Sequence, residues 1–215
     1  MFTGLIENIG VVRSISLGGA SGSGALVVDL GESASGCRLG DSVAINGACL
    51  TVTKLAGAVA TFGLSAETLA KSTLAVLKPQ AKVNIERAMM ATDRFGGHFV
   101  QGHVDGVGRV RAVKMAGEFA DIEFVAEADL LGQMVPKGSV AIDGVSLTIA
   151  ELGVESFRVA AIPETLNRTT LGQARIGDRV NIEIDIIVKV VRRQLEAILP
   201  QGKGLTLEGL HQMGF

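Results

Sequence analysis

The chain contains no tryptophan and no tyrosine, and eight phenylalanines are its only Phe, Trp or Tyr residues. Proteins that bind single-stranded nucleic acid stack bases on aromatic side chains, so few such platforms are available here. A formal net charge of −2 gives no electrostatic attraction to nucleic acid or to an anionic membrane surface. We therefore expect neither nucleic acid nor membrane among the partners.

Long apolar runs and metal-ligand spacings are also missing. No stretch of about 18 apolar residues exists to cross a bilayer, although 47% of residues are hydrophobic. The opening MFTGLIENIG has no basic segment before an apolar one, so we expect no secretion signal and a cytoplasmic location. Cys37 and Cys49 fit a reducing compartment, although a disulfide stays open at this stage. The histidines and cysteines form no metal-binding spacing, so we expect no metal site.

An internal repeat organises the sequence. SVAINGACLTV from Ser42 aligns with SVAIDGVSLTI from Ser139, and the offset of 97 recurs for ETL at Glu67 and Glu164. VNIE at Val83 and Val180 has the same offset, and TGLIENIGVV aligns with QGHVDGVGRV at an offset of 98. Two copies of this length indicate a domain duplication rather than a solenoid.

Each copy is predicted to consist mainly of short strands. Asn46-Gly47 and Asp143-Gly144 each separate two apolar runs, which is a strong signal for a two-residue hairpin turn. A short helical segment precedes the last strand of each copy, and Pro163 suits the first turn of the second such helix. The glycine cluster Gly18–Gly24 is predicted to be a hairpin loop, since it lacks the Lys and Ser/Thr of a phosphate loop.

The fold expected from these patterns is mainly β: two tandem Greek-key closed β-barrels from an internal duplication, plus a C-terminal α-helix. We place the first barrel at residues 1–97, the second at 98–186, and an oligomerisation helix and tail at 187–215. In the last segment Ile184, Val188, Val191, Leu195 and Ile198 follow heptad spacing. This spacing fits either a helix packed on its own barrel or one that associates with copies of itself.

Three positions differ in chemistry between the copies. Cys49 is matched by Ser146, Leu5 by His103, and Gly40 by Lys137. Taken singly, each has an ordinary structural explanation: a buried cysteine, a core or surface histidine, a solvated lysine. Together they place hydrogen-bonding and proton-transfer groups mainly in the second copy, where Ser146 and Thr148 share one strand face. We interpret this as two similar pockets with different chemical roles.

The motifs MFTGLIE, NGACLTVT, ERAMMATDRFGGHFVQGHVDGVG, DGVSLTIA, IPETLNRTTLG and VNIEID together resemble the riboflavin synthase family. The resemblance implies a transferase that converts two molecules of 6,7-dimethyl-8-ribityllumazine into riboflavin and 5-amino-6-(D-ribitylamino)uracil, without any cofactor. It further implies a homotrimer with an active site between subunits, and it allows association with a lumazine synthase shell.

The resemblance also implies the site residues. Catalytic candidates are His103, Ser146, Thr148, Cys49, Lys137 and Asp185. A first pocket would use Gly4, Leu5, Ile6, Ser42, Cys49, Leu50, Thr51, Gly63, Leu64, Ser65, Ala66, Glu67 and Thr68. A second would use Gly102, His103, Val104, Lys137, Ser146, Leu147, Thr148, Ala161, Ile162, Pro163, Glu164 and Thr165.

The expected chemistry removes a proton from the 7-methyl group of one lumazine, after which the anion attacks the other. Our hypothesis is that His103 acts with Ser146 and Thr148 on this proton, while Cys49 or water activates the second lumazine. Two alternatives stay open: a lumazine or flavin carrier, such as an antenna protein of light emission, and a structural barrel without ligand. The polar differences between the copies favour the enzyme.

Overall fold

Twelve strands form the framework of the computed structural model, which describes residues 1–18 and 23–198. The first six are β1 (Asn8–Gly18), β2 (Ser23–Asp29), β3 (Ser42–Ile45), β4 (Ala48–Ala56), β5 (Val59–Leu64) and β6 (Lys82–Arg87). The next six are β7 (Gly106–Ala116), β8 (Phe119–Val125), β9 (Ser139–Ile142), β10 (Val145–Leu152), β11 (Ser156–Ala161) and β12 (Arg179–Ile184).

These strands close into two antiparallel barrels with the same connectivity. In barrel one the neighbours run β1-β2-β5-β4-β3-β6, and β6 pairs with β1 to close it. Barrel two repeats this as β7-β8-β11-β10-β9-β12, closed between β12 and β7. Because β2 lies beside β5 and not beside β3, the connection is a Greek key. The predicted pair of duplicated Greek-key barrels is confirmed.

The alternation of side chains along β4 shows how each barrel fills its interior. Ala48, Leu50 and Val52 are buried in the barrel-one core, whereas Cys49 and Thr51 point to the outer face. The matching strand β10 repeats this pattern, with its apolar positions in the barrel-two core. Since successive strand residues face opposite sides, a residue that lines an outer pocket alternates with one that stabilises the core.

The two predicted hairpin turns pack against each other between the barrels. Asn46 and Asp143 have φ of 46° and 45°, and the glycines that follow have φ of 77° and 80°. Positive φ at both central residues is the geometry of a type I′ turn. A Cβ on Gly47 would lie 2.6 Å from the backbone nitrogen of Gly144, so no side chain fits there.

Helices are short except at the C-terminal end. They are α1 (Ala66–Lys71), α2 (Ala128–Leu131), α3 (Pro163–Arg168) and α4 (Ile186–Ile198). The Ser65 hydroxyl caps α1 by accepting from the Thr68 amide at 3.0 Å, while α3 begins with Pro163 in its first turn, as expected. Helices α1 and α3 are each followed by a 3-10 turn, Thr73–Val76 and Thr170–Gln173.

The heptad seam begins later than predicted. Ile184 ends β12 and is buried in the core of barrel two, so it is not part of α4. Val188 packs against that same core, whereas Val191, Leu195 and Ile198 are at least half exposed. The helix therefore touches its own barrel at its start and presents an apolar face further along.

Some predictions concern parts of the chain that the structure does not describe. The glycine cluster Gly18–Gly24 lies mostly outside the described residues, and the tail after Pro200 lies wholly outside them. Within residues 1–18 and 23–198, no helix combines the length and the apolar content needed to cross a bilayer.

Candidate active site

The segment that leads into each barrel lies across the other barrel. Phe2 and Val100 pair with each other as an isolated antiparallel bridge. The Ser146 amide donates to the Gly4 carbonyl at 2.8 Å, and the Cys49 amide donates to the Gly102 carbonyl at 2.9 Å. The two segments thus exchange barrels around a pseudo-twofold axis.

This exchange alters the grouping of the candidate residues. The motifs assigned Gly4–Ile6 to the pocket of Cys49, and Gly102–Val104 to the pocket of Ser146. The structure places Gly102–Val104 beside Cys49 and Gly4 beside Ser146. The repeat identified equivalent positions correctly, but equivalence does not reveal which barrel a leading segment contacts.

A cavity of about 480 Å³ opens beside Cys49. Its walls come from β4, from α1 and the residue after it, and from the crossing segment: Ala48, Cys49, Glu67, Thr68, Lys71, Ser72, Gly102, His103, Val104 and Asp105. The polar side chains in this lining can bind hydroxyl groups of a ligand, and the imidazole of His103 can transfer protons. Lys137, Ser146 and Thr148 are not among the lining residues and belong to barrel two. We refer to this cavity and to the surface around Ser146 as the two candidate half-sites.

Two buried glutamates hold the crossing segments in place. Glu183 accepts from the amides of Gln101 and Gly102 at 2.7 and 3.0 Å. Glu86 accepts from the amides of Thr3 and Gly4 at 2.6 and 3.0 Å, and from the Thr3 hydroxyl at 2.8 Å. Burial raises the pKa of both carboxyls, while the donated hydrogen bonds oppose that shift. Their repeated VNIE motif was visible in the sequence, although their role as anchors was not.

On barrel two, Ser146 contacts a histidine that the sequence analysis did not select. The His98 Nδ1 lies 2.7 Å from the Ser146 Oγ, and His98 is buried with 7% of its surface exposed. Burial lowers the pKa of His98, and the negative charge of Asp185 acts against that shift. Asp185 is thus close enough for its charge to act on His98, and its part in the site stays a prediction.

The remaining candidates divide between surface and core. Exposed or partly exposed positions that can offer side chains are Leu5, Ile6, Ser42, Thr51, Ser65, Ala66, Thr148, Ile162, Pro163, Glu164 and Thr165, and Gly63 is exposed as well. Leu50, Leu64, Leu147 and Ala161 have their side chains in the barrel cores. These four can contribute only backbone groups to a pocket.

Lys137 has an unusual backbone conformation. Its φ is 66°, and the matching Gly40 has φ of 89°. The amides of both residues donate to the strand after the turn, to Ile149 and Val52 respectively, at 2.9 Å. A lysine is strained in the left-handed region, and the first copy has glycine at the matching position. Retention of this strain favours a role for the Lys137 side chain.

The turns at the centre of the molecule form a network between the barrels. The Asn46 Oδ1 accepts from the Asn84 amide at 2.7 Å, and Asp143 Oδ1 accepts from the Asn181 amide at 2.8 Å. The Asn84 and Asn181 side chains then donate across the interface to the Asp143 and Asn46 carbonyls. Burial raises the pKa of Asp143 to about 7. This network links the two barrels through their hairpin turns.

Known proteins share this architecture. A family profile described as the lumazine binding domain matches residues 3–88 and 101–185. Riboflavin synthase from Actinobacillus pleuropneumoniae is 38% identical over 218 residues, covering 100% of both chains. Riboflavin synthase from Bacillus amyloliquefaciens is 40% identical over 195 residues, covering 91% of this chain and 90% of its own.

A solved structure shares the fold at lower identity. LumP complexed with 6,7-dimethyl-8-(1'-D-ribityl) lumazine has a TM-score of 0.77 at 22% identity, covering 85% of this chain and 98% of LumP. Three findings point to the same family: the similarity to riboflavin synthases over the whole chain, the two copies of the lumazine binding domain, and the two barrels of the structure. The chain belongs to the riboflavin synthase family.

Proposed function

We propose that the chain binds two molecules of 6,7-dimethyl-8-ribityllumazine, one at each half-site, and transfers a four-carbon unit between them. The products are riboflavin and 5-amino-6-(D-ribitylamino)uracil, the reaction expected of a riboflavin synthase. One observation carries the assignment of the sites: a duplicated scaffold presents different side chains at matching places. Barrel one offers Cys49 with His103, and barrel two offers Ser146 with His98.

The barrel-one cavity suits a lumazine in size and lining. Its volume of about 480 Å³ falls within the range of ordinary small-molecule sites. We assign the ring to the space between β4 and the crossing segment, and the ribityl hydroxyls to Glu67 and Thr68 at the start of α1. By the same symmetry, the second lumazine lies beside Ser146 with its ribityl chain near Glu164 and Thr165.

The reaction asks two things of the protein. Two rings must be held face to face, and such positioning can lower a barrier by about 7–11 kcal/mol. A proton must also leave the 7-methyl group of one ring, and a positioned acid or base contributes about 10²–10⁴-fold in rate. We therefore assign the larger share of the catalysis to positioning by the barrels.

The exchange of segments changes the proton-transfer hypothesis. Within one chain, His103 lies at the half-site of Cys49, and not with Ser146 and Thr148 as expected. These groups come together only if the barrel-one half-site of one copy faces the barrel-two half-site of another. We therefore propose that the complete active site forms between subunits, with Lys137 and Asp185 on the barrel-two side.

The exposed face of α4 supports assembly of several copies. Ile187, Val190, Val191, Leu195 and Ile198 are 50–62% exposed, and together they form an apolar stripe. We propose that α4 helices of three copies associate through this stripe, which brings unlike half-sites together. The cytoplasmic location, association with a lumazine synthase shell and the division of the chain at residues 97/98 and 186/187 stay predictions.

A carrier that binds lumazine without converting it is the alternative. LumP shares the fold, yet an identity of 22% is evidence for a common fold and not for a common function. Mixing the purified chain with 6,7-dimethyl-8-ribityllumazine, without cofactor, separates the two functions. One riboflavin and one pyrimidine product for every two lumazines consumed supports the enzyme. Tight binding without riboflavin supports the carrier, and no binding contradicts both.

A further inference from the structure

His98 is held in a fixed position beside Ser146. Its backbone amide donates to the Thr3 carbonyl at 3.2 Å, and its ring is buried with Nδ1 2.7 Å from the Ser146 Oγ. A Cβ on Gly97 would lie 1.9 Å from the Thr3 oxygen and 3.2 Å from the Ser146 Cβ. Only glycine fits there, so the Gly-Gly before His98 brings the imidazole close to Ser146.

The matching position in barrel one carries a thiol in place of the hydroxyl, next to the same cluster between the barrels. Cys49 packs at the edge of an apolar cluster between the barrels, formed by Phe2, Ala44, Val100 and Ala141. A thiol is a weak hydrogen-bond partner that tolerates such surroundings, whereas a hydroxyl needs one. His98 supplies that partner to Ser146, and this accounts for a serine on one barrel where the other carries a cysteine.

A neutral imidazole determines where the serine hydrogen points. Burial lowers the pKa of His98, although Asp185 opposes the shift, and a lowered pKa favours the neutral ring. A neutral ring has one N–H donor and one acceptor nitrogen. When Nδ1 is the acceptor, the Ser146 hydroxyl donates to it and the Ser146 oxygen is left to accept from a ligand. When Nδ1 carries the hydrogen, the Ser146 oxygen accepts it and the hydroxyl hydrogen is left to donate to a ligand.

We propose that His98 is a positioning residue that orients the Ser146 hydroxyl toward the lumazine bound on barrel two. This inference rests on the proposed function, because the oriented hydroxyl acts on that lumazine. His98 acts through Ser146, and its own ring is not required to touch the substrate. The role is distinct from that of His103, which lies at the other half-site.

Side-chain replacements test this role because amides mimic single ring nitrogens. In His98→Asn the amide reaches the place of Nδ1, while in His98→Gln it reaches the place of Nε2. We expect His98→Gln and His98→Ala to lower kcat by about 10-fold to 100-fold, the range of couplings within one hydrogen-bonded network. KM should change little, and His98→Asn should stay within a few-fold of the parent enzyme.

A double-mutant cycle separates positioning from folding. In a Ser146→Ala background, His98→Ala should have almost no further effect on kcat, because the oriented group is already absent. Thermal unfolding of every variant shows how much of any loss comes from stability. Equal losses in His98→Asn and His98→Gln would overturn the proposal, as would a full effect of His98→Ala in the Ser146→Ala background.

A ring-nitrogen measurement makes the test independent of turnover. The ¹⁵N resonance of the His98 Nδ1 should shift when Ser146 is replaced by alanine, because its hydrogen bond is lost. An unchanged resonance would overturn the proposal even if the chain formed no riboflavin. Absence of riboflavin from the parent protein would instead contradict the proposed function, so the two failures are distinguishable.

Discussion

Gly102 lies directly over Cys49. Its carbonyl accepts the Cys49 amide at 2.9 Å, and a Cβ on Gly102 would be 2.4 Å from the Cys49 Cβ. The residue after Gly102 is His103, so this contact brings an imidazole from the second repeat to the first barrel. The mixed composition of the half-site depends on a backbone that approaches closer than any side chain permits.

Replacing Gly102 with alanine should therefore displace His103. The φ of Gly102 is 82°, and the added methyl group meets Cys49. Gly57→Ala is a matched control, because Gly57 has φ of 61° and open space around it. We expect the control to lose about 1–2 kcal/mol of stability from strain alone. Gly102→Ala should lose more and should also lose riboflavin formation, measured by urea unfolding and absorbance. Equal stability and activity in the two variants would contradict this.

Asp143 should make stability depend on pH. Its pKa is raised by burial to about 7, whereas the pKa of an aspartate in an unfolded chain is about 3.9. Between these values the folded protein binds more protons than the unfolded chain, so the unfolding free energy falls as the pH rises. Above the folded pKa this destabilisation is complete.

Asp143→Asn should remove that loss, since the first barrel already uses Asn46 in the equivalent turn. At about 1.4 kcal/mol per pKa unit, we expect it to raise the unfolding free energy above neutral pH by roughly 1–4 kcal/mol. Asn46→Asp should do the opposite. Urea titrations at acid and alkaline pH measure both. The buried Glu86 and Glu183 are present in all variants, so their contributions to the pH dependence cancel when the unfolding free energies of two variants are subtracted. An unchanged pH slope in Asp143→Asn would contradict the assignment.

Lys137→Gly tests whether a strained lysine is retained for function. Removing a side chain from the left-handed region relieves about 1–3 kcal/mol of strain, while glycine costs about 0.5–1 kcal/mol in chain entropy. We expect stability to be unchanged or slightly higher, together with a lower rate of riboflavin formation. The reciprocal Gly40→Lys should lower stability. Full activity of Lys137→Gly would show that its side chain has no part in the reaction.

The apolar stripe of α4 predicts a change of assembly state. Leu195→Glu should give monomers in sedimentation velocity, because a charge is placed within the proposed interface between helices. Val154→Glu is the control, since Val154 is 91% exposed on a turn of barrel two. The barrels should remain folded in both variants by circular dichroism. A Leu195→Glu protein with the parent's mass would exclude this face as the interface.

Local patterns in the sequence were enough to predict the barrels. Asn46-Gly47 and Asp143-Gly144 form the predicted turns because positive φ at two successive residues is a local property of those sequences. The repeat then extended the interpretation from one barrel to the other. The prediction that Ile184 begins the heptad seam was wrong for a local reason too. Ile184 fits the two-residue period of Val180 and Ile182 as well as the helical spacing, and it lies in β12.

The composition of each half-site could not be predicted in this way. The alignment equates His103 with Leu5, but it carries no information on which barrel either residue contacts. That choice depends on long-range packing: the bridge between Phe2 and Val100 and the anchors Glu86 and Glu183. His98 was not among the predicted site residues, because two glycines before a histidine at the junction of the repeats are typical of a linker. In the structure Gly97 permits close contact with Thr3 and Ser146.

Subunit mixing tests the central claim most directly, namely that half-sites of different copies complete one active site. We expect His103→Ala to inactivate the barrel-one half-site and Ser146→Ala to inactivate the barrel-two half-site. In rings formed from both variants, about a quarter of the interfaces pair two intact half-sites. We predict that co-assembled protein forms riboflavin well above the mean of the two separate variants. Activity no higher than that mean would contradict the account and place both lumazines within a single chain.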